Sequence, residues 1–141
     1  MEFQDNQRCF VCGKRNPNGL HLDFESEGLA GVRTTYTIPD RFQGFAGIAH
    51  GGILATILDE CMVNTAWLRG VAAVTARFEV RLRQPVPIGR PVTFRAHIAK
   101  ESAKGFEVEA RAELDDGTVV AEGKGLLIKV GGKSKRLLSR D

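Results

Sequence analysis

The chain has no stretch of about 18 consecutive apolar residues, so no transmembrane helix is expected. Its first residues, Met1-Glu2-Phe3-Gln4-Asp5, lack the basic start and apolar centre of a signal peptide, which sets the expectation of a cytoplasmic protein. A large excess of charge of one sign is also lacking. A net charge of +3 is too small to argue for a nucleic-acid partner. Cysteine is limited to Cys9, Cys12 and Cys61, an odd number that speaks against a disulfide framework in a non-secreted chain. The Cys9-x-x-Cys12 spacing suits zinc or a redox couple. A structural zinc site takes four ligands, however, and no second pair is present; His21 and Cys61 would have to be recruited by the fold. A redox pair normally opens a helix after a strand, whereas Gly13, Pro17 and Gly19 mark a loop. The expectation is reduced thiols in a structured loop, with no metal and no cofactor.

What is there reads as one domain of 141 residues, 43% apolar and 26% charged, as in ordinary globular proteins. An irregular leader runs to about residue 18. Alternation in Leu20-His21-Leu22-Asp23-Phe24 and the β-branched run Val32–Ile38 predict two strands, the second ended by Pro39. A helix is expected from Gly51 to about Leu68, stopped by Gly70. Four strands follow. The cleanest places Val74, Ala76, Phe78, Val80 and Leu82 on one face and Thr75, Arg77, Glu79, Arg81 and Arg83 on the other. The last runs from Val119 to Val130, with Gly123 and Gly125 marking a bend or a close approach. The tail, 131–141, carries Lys133, Lys135, Arg136 and Arg140 and reads as a solvated end or an anion-attracting arm. One helix cannot cover both faces of six strands, so the sheet must curl round it and leave an edge or face for a second subunit.

The chemistry concentrates in His50-Gly51-Gly52-Ile53-Leu54-Ala55-Thr56-Ile57-Leu58-Asp59-Glu60. Two glycines open an apolar helix, where bare backbone N–H groups can hold a developing negative charge. Ile53, Leu54, Ile57, Leu58, Cys61 and Met62 form one stripe, and the opposite side (Ala55, Thr56, Asp59, Val63, Ala66) is small or apolar. That pattern predicts a helix enclosed nearly all round, with Asp59 where another surface presses close. A carboxylate there is costly unless it has a task. Together these features suggest acyl transfer. Asp59 lies roughly 10 Å of helix rise from the first glycine, too far to act at the Gly51 amide within one chain, which points to a site shared by two subunits. Glu60 is an alternative acting carboxylate, or else a partly exposed or interface charge beside the substrate. His50 is either a general base or, more in keeping with its place before a helix, an organiser of the loop. Phe42, Phe45, Met62 and Trp67 could line an acyl pocket or pack an interface.

The order of elements, with His-Gly-Gly before the helix and Asp nine positions after the His, resembles the hotdog-fold acyl-CoA thioesterases, and within them the phenylacetate-degradation-type branch. Cys9-Phe10-Val11-Cys12-Gly13 with Asn16-Pro17-Asn18-Gly19-Leu20 is similar to the leader of some members. Phe42-Gln43-Gly44 before Ala49-His50-Gly51-Gly52, and the turn Arg83-Gln84-Pro85-Val86-Pro87-Ile88-Gly89, add to the likeness. The resemblance implies an α+β hotdog fold, a curled antiparallel sheet of about six strands round one long central helix. It implies thioester hydrolysis of an acyl-CoA, with Asp59 as general base or nucleophile and Gly51 N–H as the oxyanion donor. Thr75 is implied as a hydroxyl contributed across the dimer interface to place the attacking water. Gln43 is a candidate polar contact where some members carry an Asn, with His50, Gly52 and Glu60 beside the substrate. Arg77, Arg81 and Arg83 form either a plain polar strand face or a site for the CoA phosphates, for which Lys104 is a further candidate. The resemblance further implies a homodimer or a homotetramer built as a dimer of dimers. Two other functions fit the same residues: an acyl-CoA binding module without catalysis, and an enoyl-CoA hydratase or dehydratase using His50 with Asp59.

Overall fold

A single long helix, α1 (Gly51–Trp67), lies in the palm of an antiparallel sheet. The computed structural model describes residues 3–133. Its strands are β1 (Glu25–Glu27), β2 (Gly31–Thr37), β3 (Val71–Leu82), β4 (Pro91–Glu101), β5 (Gly105–Leu114) and β6 (Val119–Lys133), in spatial order β1-β2-β4-β5-β6-β3. The sheet therefore ends in a short edge, β1, and a twelve-residue edge, β3. Strands β4 to β6 are joined by tight turns, the second at Asp115-Asp116-Gly117 with Gly117 at φ +86. The apolar faces of β2 to β6 close over Leu54, Ile57, Leu58, Cys61 and Met62 of α1, with Phe94, Phe106 and Leu127 fully buried among them.

The expected first strand is different. Leu20, Leu22 and Phe24 are buried and His21 and Asp23 exposed, as the alternation requires, but the segment lies outside the sheet. Its amides are taken by the leader: Leu20 N–H donates to Phe10 O and Leu22 N–H to Val11 O, both at 2.9 Å. His21 at φ +56 breaks the extended ladder between them. The sheet begins only at Glu25. The leader is irregular, as expected, yet Val11 and Leu20 belong to the core.

Two local departures matter for the site. In β3, Thr75 pairs with Leu127 and Arg77 with Leu126, so Ala76 is an extra, bulged residue. The strict alternation expected for this strand fails there. Thr75 turns inward, as Phe78 and Val80 do further along, and Ala76 turns out to solvent. In β6, the glycines answer a close approach by a helix side chain: a Cβ on Gly125 would sit 3.2 Å from Met62 Sδ. β6 also runs three residues further than expected, to Lys133. The remainder of the basic tail, 134–141, lies outside the described residues, as do the side chains of Lys135, Arg136 and Arg140. No helix among the described residues is long and apolar enough to cross a membrane.

Candidate active site

The start of α1 is fixed from three directions. Ala49 N–H donates to Val86 O (2.8 Å), and Ile48 bridges Pro87, so the turn after β3 holds the loop that leads into the helix. Gln43 Oε1 accepts from Gly47 N–H at 2.9 Å and closes the loop below. His50 N–H donates to Phe42 O, and the His50 ring caps the helix, its Nδ1 accepting from Gly52 N–H at 2.9 Å. The cap separates the two glycines. Gly52 N–H is spent on His50, whereas Gly51 N–H donates to nothing among the described residues. Gly51 is thus the free donor at the positive end of the helix dipole. It is also crowded on one side: a Cβ there would meet Leu82 Cδ1 at 2.5 Å.

Two turns along, Asp59 is half-buried and accepts from Thr75 Oγ1 at 2.7 Å through Oδ1. Its second oxygen accepts from no group among the described residues. Burial raises the Asp59 pKa above the usual aspartate value; the Thr75 hydroxyl opposes that shift, and the Glu60 charge adds to it. Asp59 shares an incompletely covered strip with Ala55, Thr56 and Val63. The helix is therefore enclosed except along this line, which corrects the expectation of cover nearly all round; Ala66, expected on the same side, is fully buried. The Thr75 hydroxyl reaches Asp59 from β3 of the same chain.

Glu60 is not a partly exposed charge. It is 9% exposed and faces the leader: Cys12 Sγ donates to its Oε1 at 3.2 Å, Cys9 Sγ lies 3.7 Å away and Asn64 Nδ2 donates to the same oxygen at 3.2 Å. The Cys9 thiol is pulled down to about 6, chiefly by the hydrogen bond from Cys12. Neither of the extra ligands considered from sequence arrives. Cys61 is buried under Val32 with its thiol pushed up by burial, and His21 is exposed with its Nε2 on Asn16 O. The third group beside the thiols is Glu60, and no sequence spacing could have shown this, because 48 residues separate it from Cys12.

Met62 and Trp67 are buried, the latter donating through Nε1 to Ala73 O at 2.8 Å. Phe42 is half-buried under the Arg41 guanidinium, and Phe45 is 87% exposed on the loop. Arg77 is exposed on β3 opposite Leu126, and Lys104 is exposed in the turn before Gly105, which pairs with Ile128. Both lie within a few register positions of Thr75, which pairs with Leu127. Neither is in an ion pair among the described residues. Arg81 and Arg83, by contrast, are engaged by Glu79 and Glu122.

This curled sheet round a helix, with a glycine amide at the helix start and a carboxylate two turns on, defines the hotdog class of protein. The chain belongs to the Thioesterase superfamily, whose sequence model matches residues 46–121. Over 89 residues it is 32% identical to the acyl-coenzyme A thioesterase THEM4 of Bos taurus, covering 62% of this chain and 36% of that protein. It thus spans little more than a third of the length of such curated relatives. Among solved structures, the PaaI protein of E. coli, from the phenylacetic acid degradation operon, superposes with a TM-score of 0.76 at 20% identity, covering 81% of this chain and 83% of that one. A hypothetical thioesterase from Streptococcus pneumoniae TIGR4, solved with coenzyme A, gives 0.75 at 17% identity over 80% and 88% of the two chains. These likenesses show the hotdog fold.

Proposed function

We propose that this protein is an acyl-CoA thioesterase that hydrolyses the thioester to a free acid and CoA, with Asp59 and Gly51 serving one site from two subunits. The observation that carries the reading is the Asp59–Thr75 pair. It sets a half-buried carboxylate, with one oxygen held at 2.7 Å and the other free, on the only open strip of the helix among the described residues. A structural carboxylate would be expected to end on a cation or a full set of donors; this one ends on a single hydroxyl.

Asp59 accepts a proton from water as the water oxygen attacks the thioester carbon. The carbonyl oxygen becomes an oxyanion, held by the uncommitted N–H of Gly51. Collapse of the tetrahedral intermediate breaks the C–S bond, and the proton on Asp59 returns to the departing CoA sulfur. With Asp59 as nucleophile, the same carboxylate attacks directly and water then opens the acyl-aspartate anhydride. Thr75 orients the carboxylate in either route.

Gly51 and Asp59 are eight positions apart on the helix, about 12 Å of rise. One thioester cannot span that gap on a single chain, whereas an antiparallel pair of helices sets Gly51 of one subunit near Asp59 of the other. The long free edge of β3 supports this pairing, since an unpartnered strand of that length seeks another. Exposed Arg77 and Lys104 suit the CoA phosphates. The structural likeness to a thioesterase solved with coenzyme A supports the same ligand. His50 acts as a helix cap in this reading, which leaves an enoyl-CoA hydratase without its imidazole base.

The deciding experiment is thiol release from short, medium, long and aryl acyl-CoAs by the wild type and Asp59→Asn. Loss of turnover by about 10²–10⁴-fold in the variant is expected. Full activity of Asp59→Asn would overturn the mechanism. Tight acyl-CoA binding with no release by the wild type would make the protein a binding module.

A further inference from the structure

We propose that Cys9, Cys12 and Glu60 form a site for a thiophilic divalent cation, zinc by its chemistry, that clamps the leader to α1. The two sulfurs and a Glu60 oxygen all lie within 4.8 Å of one another, with Cys12 Sγ 3.2 Å and Cys9 Sγ 3.7 Å from Oε1. Tetrahedral zinc with Zn–S near 2.3 Å and Zn–O near 2.1 Å needs ligand separations of roughly 3.6–3.8 Å. The three groups therefore reach the metal geometry by shifts of about an ångström or less. Two sulfurs and one carboxylate select zinc over magnesium or calcium, which take oxygen ligands. Cys9 and Cys12 are half-buried, so water can fill the fourth position.

The surroundings are built for this geometry. Gly13 N–H donates to Cys9 O at 2.9 Å and closes the turn, and no side chain fits there, since a Cβ would lie 2.3 Å from Cys9 N. Val11 N–H points at Cys9 Sγ (3.4 Å), an arrangement that favours a thiolate. The pairing of Phe10 and Val11 with Leu20 and Leu22 anchors the turn, and Asn64 Nδ2 orients the Glu60 carboxylate from the next helical turn. On binding, each thiol gives up its proton to solvent and forms a sulfur–metal bond; no electron is transferred. The S–H donation of Cys12 to Glu60 is replaced by the shared cation.

The test uses the whole chain, reduced and stripped with chelator, then titrated with Co²⁺ as the spectroscopic probe and with Zn²⁺ in competition. Saturation at one Co²⁺ per chain is expected, with a sulfur-to-cobalt charge-transfer band and the visible bands of a tetrahedral ion, both bleached by Zn²⁺. Cys9→Ser and Cys12→Ser should each weaken the charge-transfer band, and the double variant should lose it. Glu60→Gln should keep the band and bind about 10–100-fold more weakly. Absence of the band in the reduced wild type would overturn the proposal, a result that needs no variant to fold. Undiminished Zn²⁺ binding by the folded double variant, or a Cys9–Cys12 disulfide whose reduction restores no binding, would overturn it as well.

Discussion

Asp59 is a residue whose stability cost and proposed chemical use have the same origin. Burial raises its pKa above the ordinary aspartate value, so the folded state binds its proton more tightly than the unfolded state does. As pH rises from the ordinary value through the raised one, the ionised folded form loses stability relative to the unfolded chain. Asp59→Asn removes that penalty. Its Tm at neutral pH is expected to match or exceed the wild type, with no gain in acid below the aspartate range, even as turnover collapses; thermal melts across pH check this. Thr75 donates to the carboxylate and opposes the shift, so Thr75→Ala should raise the Asp59 pKa further. The acid limb of kcat/KM then moves to higher pH, and Thr75→Ser restores it. Gly51→Pro isolates the other half of the chemistry. Proline is well placed at the first helical position, and the preceding His50 is already extended at φ −63, ψ 130. A Cβ there meets only Leu82, which is 55% exposed and able to swing away. Loss of the N–H should cost about 10²–10³-fold in kcat with a near-native melt. Unchanged kcat would remove Gly51 from the oxyanion site.

Among the elements, α1 and β3 set the site by one cap and one bulge. The His50 ring satisfies Gly52 N–H, and that choice leaves the Gly51 amide without an acceptor among the described residues. His50→Ala should destabilise the protein by about 1 kcal/mol, with His50→Asn recovering most of it. Denaturant unfolding measures the difference. The effect on kcat should stay far below that of Asp59→Asn, because in the proposed mechanism the imidazole holds backbone and takes no proton from water. The bulge at Ala76 has the larger structural consequence. Without an extra residue, Thr75 would share the outer face with Arg77 and Glu79, and Asp59 would lose its donor. Period-two alternation carries no mark of such an insertion, so reading the strand by hydrophobicity alone placed Thr75 on the wrong face.

At the scale of the whole molecule, the proposed site divides its two halves between subunits, Gly51 from one and Asp59 from the other. Hybrid assembly exposes this directly. Gly51→Pro and Asp59→Asn should each be inactive alone, and co-refolding them should restore thiol release, since a hybrid dimer contains one site with both groups intact. No recovery, with native mass spectrometry confirming mixed dimers, would place both groups in one subunit's site.

Much of this was legible in the residues. The Gly51–Trp67 helix shows in its apolar run and flanking glycines, and β4, β5 and β6 in alternation and in Asp115-Asp116-Gly117. His50-Gly51-Gly52 and Asp59 stood out because a bare helix start and a carboxylate in an apolar face are each costly without a use. Those signals are local, carried by neighbours within one or two turns of chain. Which glycine keeps its N–H, which face Thr75 takes and what surrounds Glu60 were decided by tertiary structure. Each depends on contacts between distant segments: β3 against α1 for Thr75, the leader against α1 for Glu60. The physical reason is that a side chain's partners are chosen by packing and register, and a single bulge or loop pairing resets both without altering composition or period.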